Sequence, residues 1–110
     1  MQPQRTPVLL QVNFRFAMTA EAYVAAVEPV AEAVAAVPGL RWKIWLLDEE
    51  TREGGGVYLF EDAATARAYL DGPLLAPFLA NPAVHTVSAK MLRVLAAPTA
   101  LTRGPVHELA

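Results

Sequence analysis

The sequence predicts an α+β domain, with four strands and two helices in the order βαββαβ, an antiparallel sheet, and both helices on one face. Three observations lead there. Apolar residues alternate in 8–16 and dominate short runs at 40–47, 56–61 and 84–95. Between the first two runs they recur every three or four residues, the spacing of an amphipathic helix. The chain has 110 residues, the length of a single domain able to close an ordinary core.

The first strand, VLLQVNFRF, sets Leu10, Val12, Phe14 and Phe16 on one face and Gln11, Asn13 and Arg15 on the other. Thr19 follows as an N-cap, and Glu21 stands in the first turn, where the helix dipole favours a carboxylate. Tyr23, Val27, Val30, Val34 and Val37 form the apolar stripe of the first helix. Pro29 should kink it by removing a hydrogen bond and crowding the preceding turn, and Val37-Pro38-Gly39 ends it.

The second strand covers 40–47 and the third 56–61, joined across DEETRE by what reads as an extended hairpin loop. Asp62 caps a second helix that runs to Leu70, and Gly72-Pro73 breaks it. LLAPFLA resumes as a short helical piece before Asn81-Pro82, and the last strand covers 84–95. Residues 96–110, with two prolines and a glycine, read as a C-terminal arm of a single 1–110 domain. This split βαβ order is the ferredoxin-like arrangement.

Such a sheet has one uncovered face, yet the second strand carries Trp42 and Trp45 three residues apart, hence on opposite faces. The hydrophobic fraction is 55%, high for a small chain. Both features predict that a second copy covers the open face. Our assignment places Trp42 toward the helices, with Ile44 and Leu46, and Trp45 toward the partner sheet, with Lys43 and Arg41.

Several function classes are excluded by composition. Nine basic against eleven acidic residues give a net charge of −2, without the basic stripe that nucleic acid requires. GGGVYLF faintly resembles the aromatic strand of an RNA-recognition module, but the basic residue before it is missing. No apolar run is long enough to span a membrane, and MQPQRTPVLL lacks the parts of a signal peptide, so a cytoplasmic location is the expectation. With no cysteine there is no disulfide or thiolate metal site. Gly54-Gly55-Gly56 feeds a strand rather than a helix, which rules out a phosphate cradle. DEETRE lacks the spacing and the histidine of a metal site, so neither metal nor organic cofactor is expected.

EPVAEAVAAVPGLRWKIW, then REGGGVYLFED, then ARAYL, resemble the YdhR-like monooxygenase family of the dimeric α/β-barrel superfamily. The residues that carry the resemblance are Pro29, Pro38-Gly39, Trp42-Lys43-x-Trp45, Glu53, Gly55-Gly56, Tyr58-Leu59-Phe60 and Tyr69-Leu70, within residues 8–95. The segment 72–81 is more apolar than the family pattern, and the tail differs. The resemblance implies a homodimer built sheet to sheet with the helices outside. It also implies cofactor-independent oxidation of a small electron-rich aromatic or enolisable compound. Two alternatives are a non-catalytic homodimer that binds a small hydrophobic ligand and an isomerase-like enzyme on the same scaffold.

The candidate residues each have a second, structural explanation. Trp42 and Trp45 can line a pocket for a flat ligand or simply pack core and interface. Tyr58 can protonate or hold a developing oxyanion, or be a strand aromatic with a satisfied hydroxyl. His85 can be a general base or a strand-end histidine, and His107 belongs to the arm. Lys43 and Arg15, near the dimer seam, can steer an enolate or pair with an acid such as Glu53. Phe14, Tyr23 and Tyr69 can contact substrate or fill the core. A pocket is expected between sheet and helices, with Trp42 in its wall and Tyr23 and residues 74–79 as its lid, because Pro29 and Pro77 interrupt the covering elements.

Overall fold

A computed structural model describes residues 6–106. The strands are β1 (Val8–Phe16), β2 (Leu40–Asp48), β3 (Glu53–Phe60) and β4 (Val84–Arg93), in the sheet order β2-β3-β1-β4, with every neighbouring pair antiparallel. The helices are α1 (Ala20–Val27), α2 (Ala31–Ala35), α3 (Ala63–Leu70), α4 (Ala76–Ala80) and α5 (Ala96–Leu101). This is the ferredoxin-like α+β arrangement. The core lies where the alternating face of β1 (Leu10, Val12, Phe14, Phe16) meets Tyr58 and Phe60 of β3, Tyr23 of α1, Val34 of α2, and Ala66 and Tyr69 of α3. Leu10 and Phe60 are 0% exposed, and burying each stabilises the fold by about 1.5–3 kcal/mol.

Both expected caps form. The Thr19 hydroxyl accepts from the Ala22 amide at 3.1 Å and the Asp62 carboxylate from the Thr65 amide at 2.9 Å, each contributing about 1 kcal/mol. Pro29 does break the first helix: Glu28–Val30 winds as a 3-10 turn between α1 and α2. Gly39 closes this unit at φ 82°, and a Cβ there would run into the Thr65 side chain.

Four expectations are corrected. The β2–β3 connection is a short hairpin, because Asp48 pairs with Glu53 and its carboxylate accepts from the Glu50 and Thr51 amides at 3.0 and 3.2 Å. Arg52 supplies the reversal at φ 56°. The third strand therefore starts three residues early and carries the whole glycine triplet. Pro77 stands in the first turn of α4 rather than interrupting it, since that turn has no use for its amide. The last strand ends at Arg93, and the arm contains the short helix α5.

The fourth correction concerns the two tryptophans. Leu40 pairs with Phe60 but Trp42 pairs with Leu59, so Arg41 is an extra residue in β2, a bulge that reverses the alternation after Leu40. Lys43 stands opposite Tyr58 and Trp45 opposite Gly56, both on the helix-covered face. Trp42, with Ile44 and Leu46, faces the open side, the reverse of our assignment. There its indole N–H donates to the Pro105 carbonyl at 3.0 Å, tying down the C-terminal segment.

Candidate functional site

A cavity of about 410 Å³ lies between the sheet and its helices, within the usual size range of ligand sites. Val12 and Phe14 of β1, Lys43 and Trp45 of β2, and Gly55 and Tyr58 of β3 form its floor. Tyr23, Val27 and Val30 rise on one side, and Val34 and Tyr69 on others. Leu74, Leu75, Pro77 and Phe78 close the remaining edge. Phe14 is held between Phe78, at 4.7 Å between centroids and 71°, and Tyr23 at 5.7 Å. Tyr23 also stacks on Phe16 at 4.5 Å and 8°. It can lie that low because residue 54 is glycine: a Cβ there would be 2.9 Å from the Tyr23 ring and hydroxyl.

The lining is apolar except for a few groups. The Tyr58 and Tyr69 hydroxyls share a hydrogen bond at 2.8 Å, joining β3 to α3. Burial pushes both phenols up, and burial takes Tyr23 to about 12, so all three keep their protons at neutral pH. Lys43 differs. Its Nζ lies 3.3 Å from the Trp45 ring centroid and 4.4 Å from that of Tyr58. Burial pushes the amine down to about 7. Burial favours the neutral amine while the two ring faces favour the ammonium, so the group is poised between them. Among the described residues no carboxylate and no histidine lines the cavity.

The cavity thus brings together Phe14, Tyr23, Lys43, Trp45, Tyr58 and Tyr69 of the sequence-predicted residues. Four others, Trp42, His85, Arg15 and Glu53, are elsewhere. Trp42 lines a second, broad cavity of about 470 Å³ on the opposite face, against Leu9, Leu92 and the C-terminal segment. His85 is exposed beside Arg15 on that open face, its Nδ1 2.9 Å from the Thr86 hydroxyl. A bulge between Asn13 and Arg15, with Thr86 at φ 56°, sets it there. Glu53 pairs with Arg15 and Asp48 across the strands, on the open face, and cannot reach Lys43. His107 lies outside the described residues.

Gly56 went unrecognised from sequence as part of the site. A Cβ on it would fall 2.5 Å from Lys43 Cε, so the missing side chain is what lets the lysine lie across β3. The signal was available in the short hairpin, since pairing Asp48 with Glu53 puts Trp45 opposite Gly56. Among the described residues no cluster of three metal-ligating side chains occurs, and no helix is long and apolar enough to cross a membrane.

Fold and cavity define the class first: a ferredoxin-like α+β domain with an apolar cavity between its sheet and helices. Residues 9–105 match the family described as "Putative mono-oxygenase ydhR", and the chain belongs to that family. Its fold is similar to a protein of unknown function from Nitrosomonas europaea, at 23% identity, TM-score 0.68, with 86% of this chain and 95% of that one covered. It is also similar to SnoaB, a cofactor-independent oxygenase from Streptomyces nogalater, at 16% identity and TM-score 0.66, covering 82% and 94%. The heme-degrader MhuD from Mycobacterium tuberculosis follows at 20% identity and TM-score 0.59, covering 79% and 95%. No curated protein matches the chain.

Proposed function

We propose that the protein is a cofactor-independent monooxygenase acting as a homodimer. It oxidises a small electron-rich aromatic or enolisable compound in the cavity above Gly55 and Gly56. The observation that carries this reading is the amine of Lys43, the one cation among the described lining residues, set between the faces of Trp45 and Tyr58 in a mostly apolar cavity. Such a substrate reduces oxygen itself once deprotonated. For a methylene between activating groups, one oxygen atom becomes the new carbonyl and the other leaves as water with the two hydrogens. The protein supplies orientation, exclusion of water and a positive charge beside the developing anion. SnoaB, described as a cofactor-independent oxygenase, has a similar fold and supports this reading.

The dimer is supported by the open face, where Ile44, Leu46 and Leu92 are 54%, 39% and 46% exposed. A second copy's sheet is the occupant that the dimeric α/β-barrel architecture supplies.

An oxygen electrode tests the activity with hydroquinone-like and anthrone-like substrates. Uptake above the uncatalysed rate, lost in Trp45→Ala, is expected. Binding by thermal shift without uptake would leave a second reading, a non-catalytic carrier of hydrophobic ligands. That reading is favoured by one observation, the placement of His85 outside the cavity.

A further inference from the structure

The glycine triplet and the placement of the lysine belong together. Lys43 reaches the cavity by laying its stem over Gly56, and its amine ends between two aromatic faces. Among the described residues, the other titratable groups that line the cavity are Tyr58 on β3, Tyr69 on α3 and Tyr23 on α1, with Asn81 as an untitratable neighbour along the lining. Burial keeps the three phenols protonated, so at neutral pH they donate hydrogen bonds and accept no proton. Among the described residues that line the cavity, the amine is the group able to change its protonation state there.

We propose that Lys43 is the proton acceptor for a flat, weakly acidic ligand, a phenol or an enol, and that Gly56 is the positioning residue that allows it. This rests on the reading above in taking the helix-side cavity as the site. The step balances within the cavity. The ligand O–H bond breaks, its electron pair stays on oxygen, and the proton forms an N–H bond on Lys43, giving an ammonium–phenolate pair. Nothing is exchanged with solvent. The faces of Trp45 and Tyr58 stabilise the ammonium before the anion contributes, and the Tyr58–Tyr69 hydroxyl pair offers a donor to the new oxyanion. A carboxylate as sole base would end as a neutral acid, leaving the phenolate without an opposite charge. The amine ends with opposite charges instead.

The test uses 7-hydroxycoumarin, a flat phenol whose phenolate has a separate, red-shifted excitation band. At neutral pH, where the free probe is mostly phenol, the probe bound to the wild type should show the phenolate band. In Lys43→Met it should bind as the phenol. Lys43→Arg keeps the charge but accepts no proton, so it separates the two roles. Its affinity should rise tenfold per pH unit below the probe's own pKa and then level off. The wild type should instead give a bell, rising while the amine loses its proton and falling once the free probe ionises. Gly56→Ala pushes on a flexible side chain, with the Ile44 carbonyl oxygen 3.2 Å away as its only other close contact. It should fold, as a thermal melt would verify, yet lose the bound phenolate at least tenfold, with no further loss in the double variant with Lys43→Met.

A bound probe that stays phenolic in the wild type overturns the proposal and leaves the cavity as a site. A phenolate signal unchanged in Lys43→Met also overturns it. No binding at all removes both this inference and the site on which it rests. Bound phenolate without oxygen uptake by any substrate supports the inference while the oxygenase reading fails.

Discussion

The hydroxyls of Tyr58 and Tyr69 lie 2.8 Å apart across the interface of β3 with α3, a polar link inside an aromatic cluster. Their rings are 5.1 Å apart, and both residues are buried. Removing one hydroxyl leaves its partner unsatisfied. Tyr58→Phe or Tyr69→Phe should therefore each cost about 1–3 kcal/mol. The double change removes both polar groups and should cost less than the two single losses summed. Urea denaturation of the four forms measures the coupling, and strict additivity would show that the bond contributes nothing.

Lys43 should make stability depend on pH in a defined window. Its folded value of about 7 lies below the ordinary 10.5, so between those limits the unfolded chain binds more protons than the folded one. Stability then rises with pH from about 7 toward 10.5, and below about 7 both states are charged and the contribution is flat. Urea midpoints across this range should climb in the wild type and climb less in Lys43→Met. Equal slopes in the two proteins would mean that the amine is not perturbed by the cavity.

These predictions hang on which face each residue of β2 occupies, and sequence alone placed that wrongly. The strands, caps and helix order were legible because alternation, Thr19, Asp62 and Pro29 are local signals. The bulge at Arg41 is not local. It follows from how Leu40 and Trp42 register against Phe60 and Leu59, so an alternation counted along β2 misses the reversal after Leu40. The expectation of a cavity on the helix side matches the observed one, and Phe14, Tyr23, Tyr58 and Tyr69 belong to it. The exchange of Trp42 for Trp45 and the loss of His85 both come from bulges.

Trp42 should thus behave as an anchor for the C-terminal segment. Trp42→Phe removes the donor to the Pro105 carbonyl while keeping an aromatic ring, a loss of about 0.5–1.5 kcal/mol. Faster hydrogen exchange or proteolysis across 94–106 should accompany it, with 7-hydroxycoumarin binding unchanged within twofold. Trp45→Ala should do the reverse, weakening the probe and leaving that segment protected. A Trp42→Phe variant that loses the probe would place Trp42 in the functional site after all.

Gly54 should resist substitution more than Gly56. A Cβ at Gly54 would meet the Tyr23 ring at 2.9 Å and Phe14 at 3.0 Å, both buried and locked by their mutual edge contact. Moving either ring would break its stacking or edge contact, so Gly54→Ala should cost about 1–3 kcal/mol through overpacking. Gly56→Ala meets mainly a lysine stem and should cost less. Thermal melts that rank the two the other way would mean that Lys43, not Tyr23, is the rigid neighbour.

The open face gives the last prediction. Ile44 and Leu46 of β2 and Leu92 of β4 stand on it, each more than a third exposed, with Trp42 and the C-terminal segment covering only one end. Apolar residues exposed at both edges of one sheet face fit a sheet-to-sheet contact. Ile44→Lys puts an unpaired charge into that contact but in water for an isolated subunit. It should halve the mass in solution by light scattering, while the melt of the isolated subunit shows no loss attributable to its own core. Burial against a second copy should also slow hydrogen exchange along β2 and β4 in the wild type and not in the variant. A wild type that is monomeric at micromolar concentration would reject the homodimer and leave the helix-side cavity complete within a single chain.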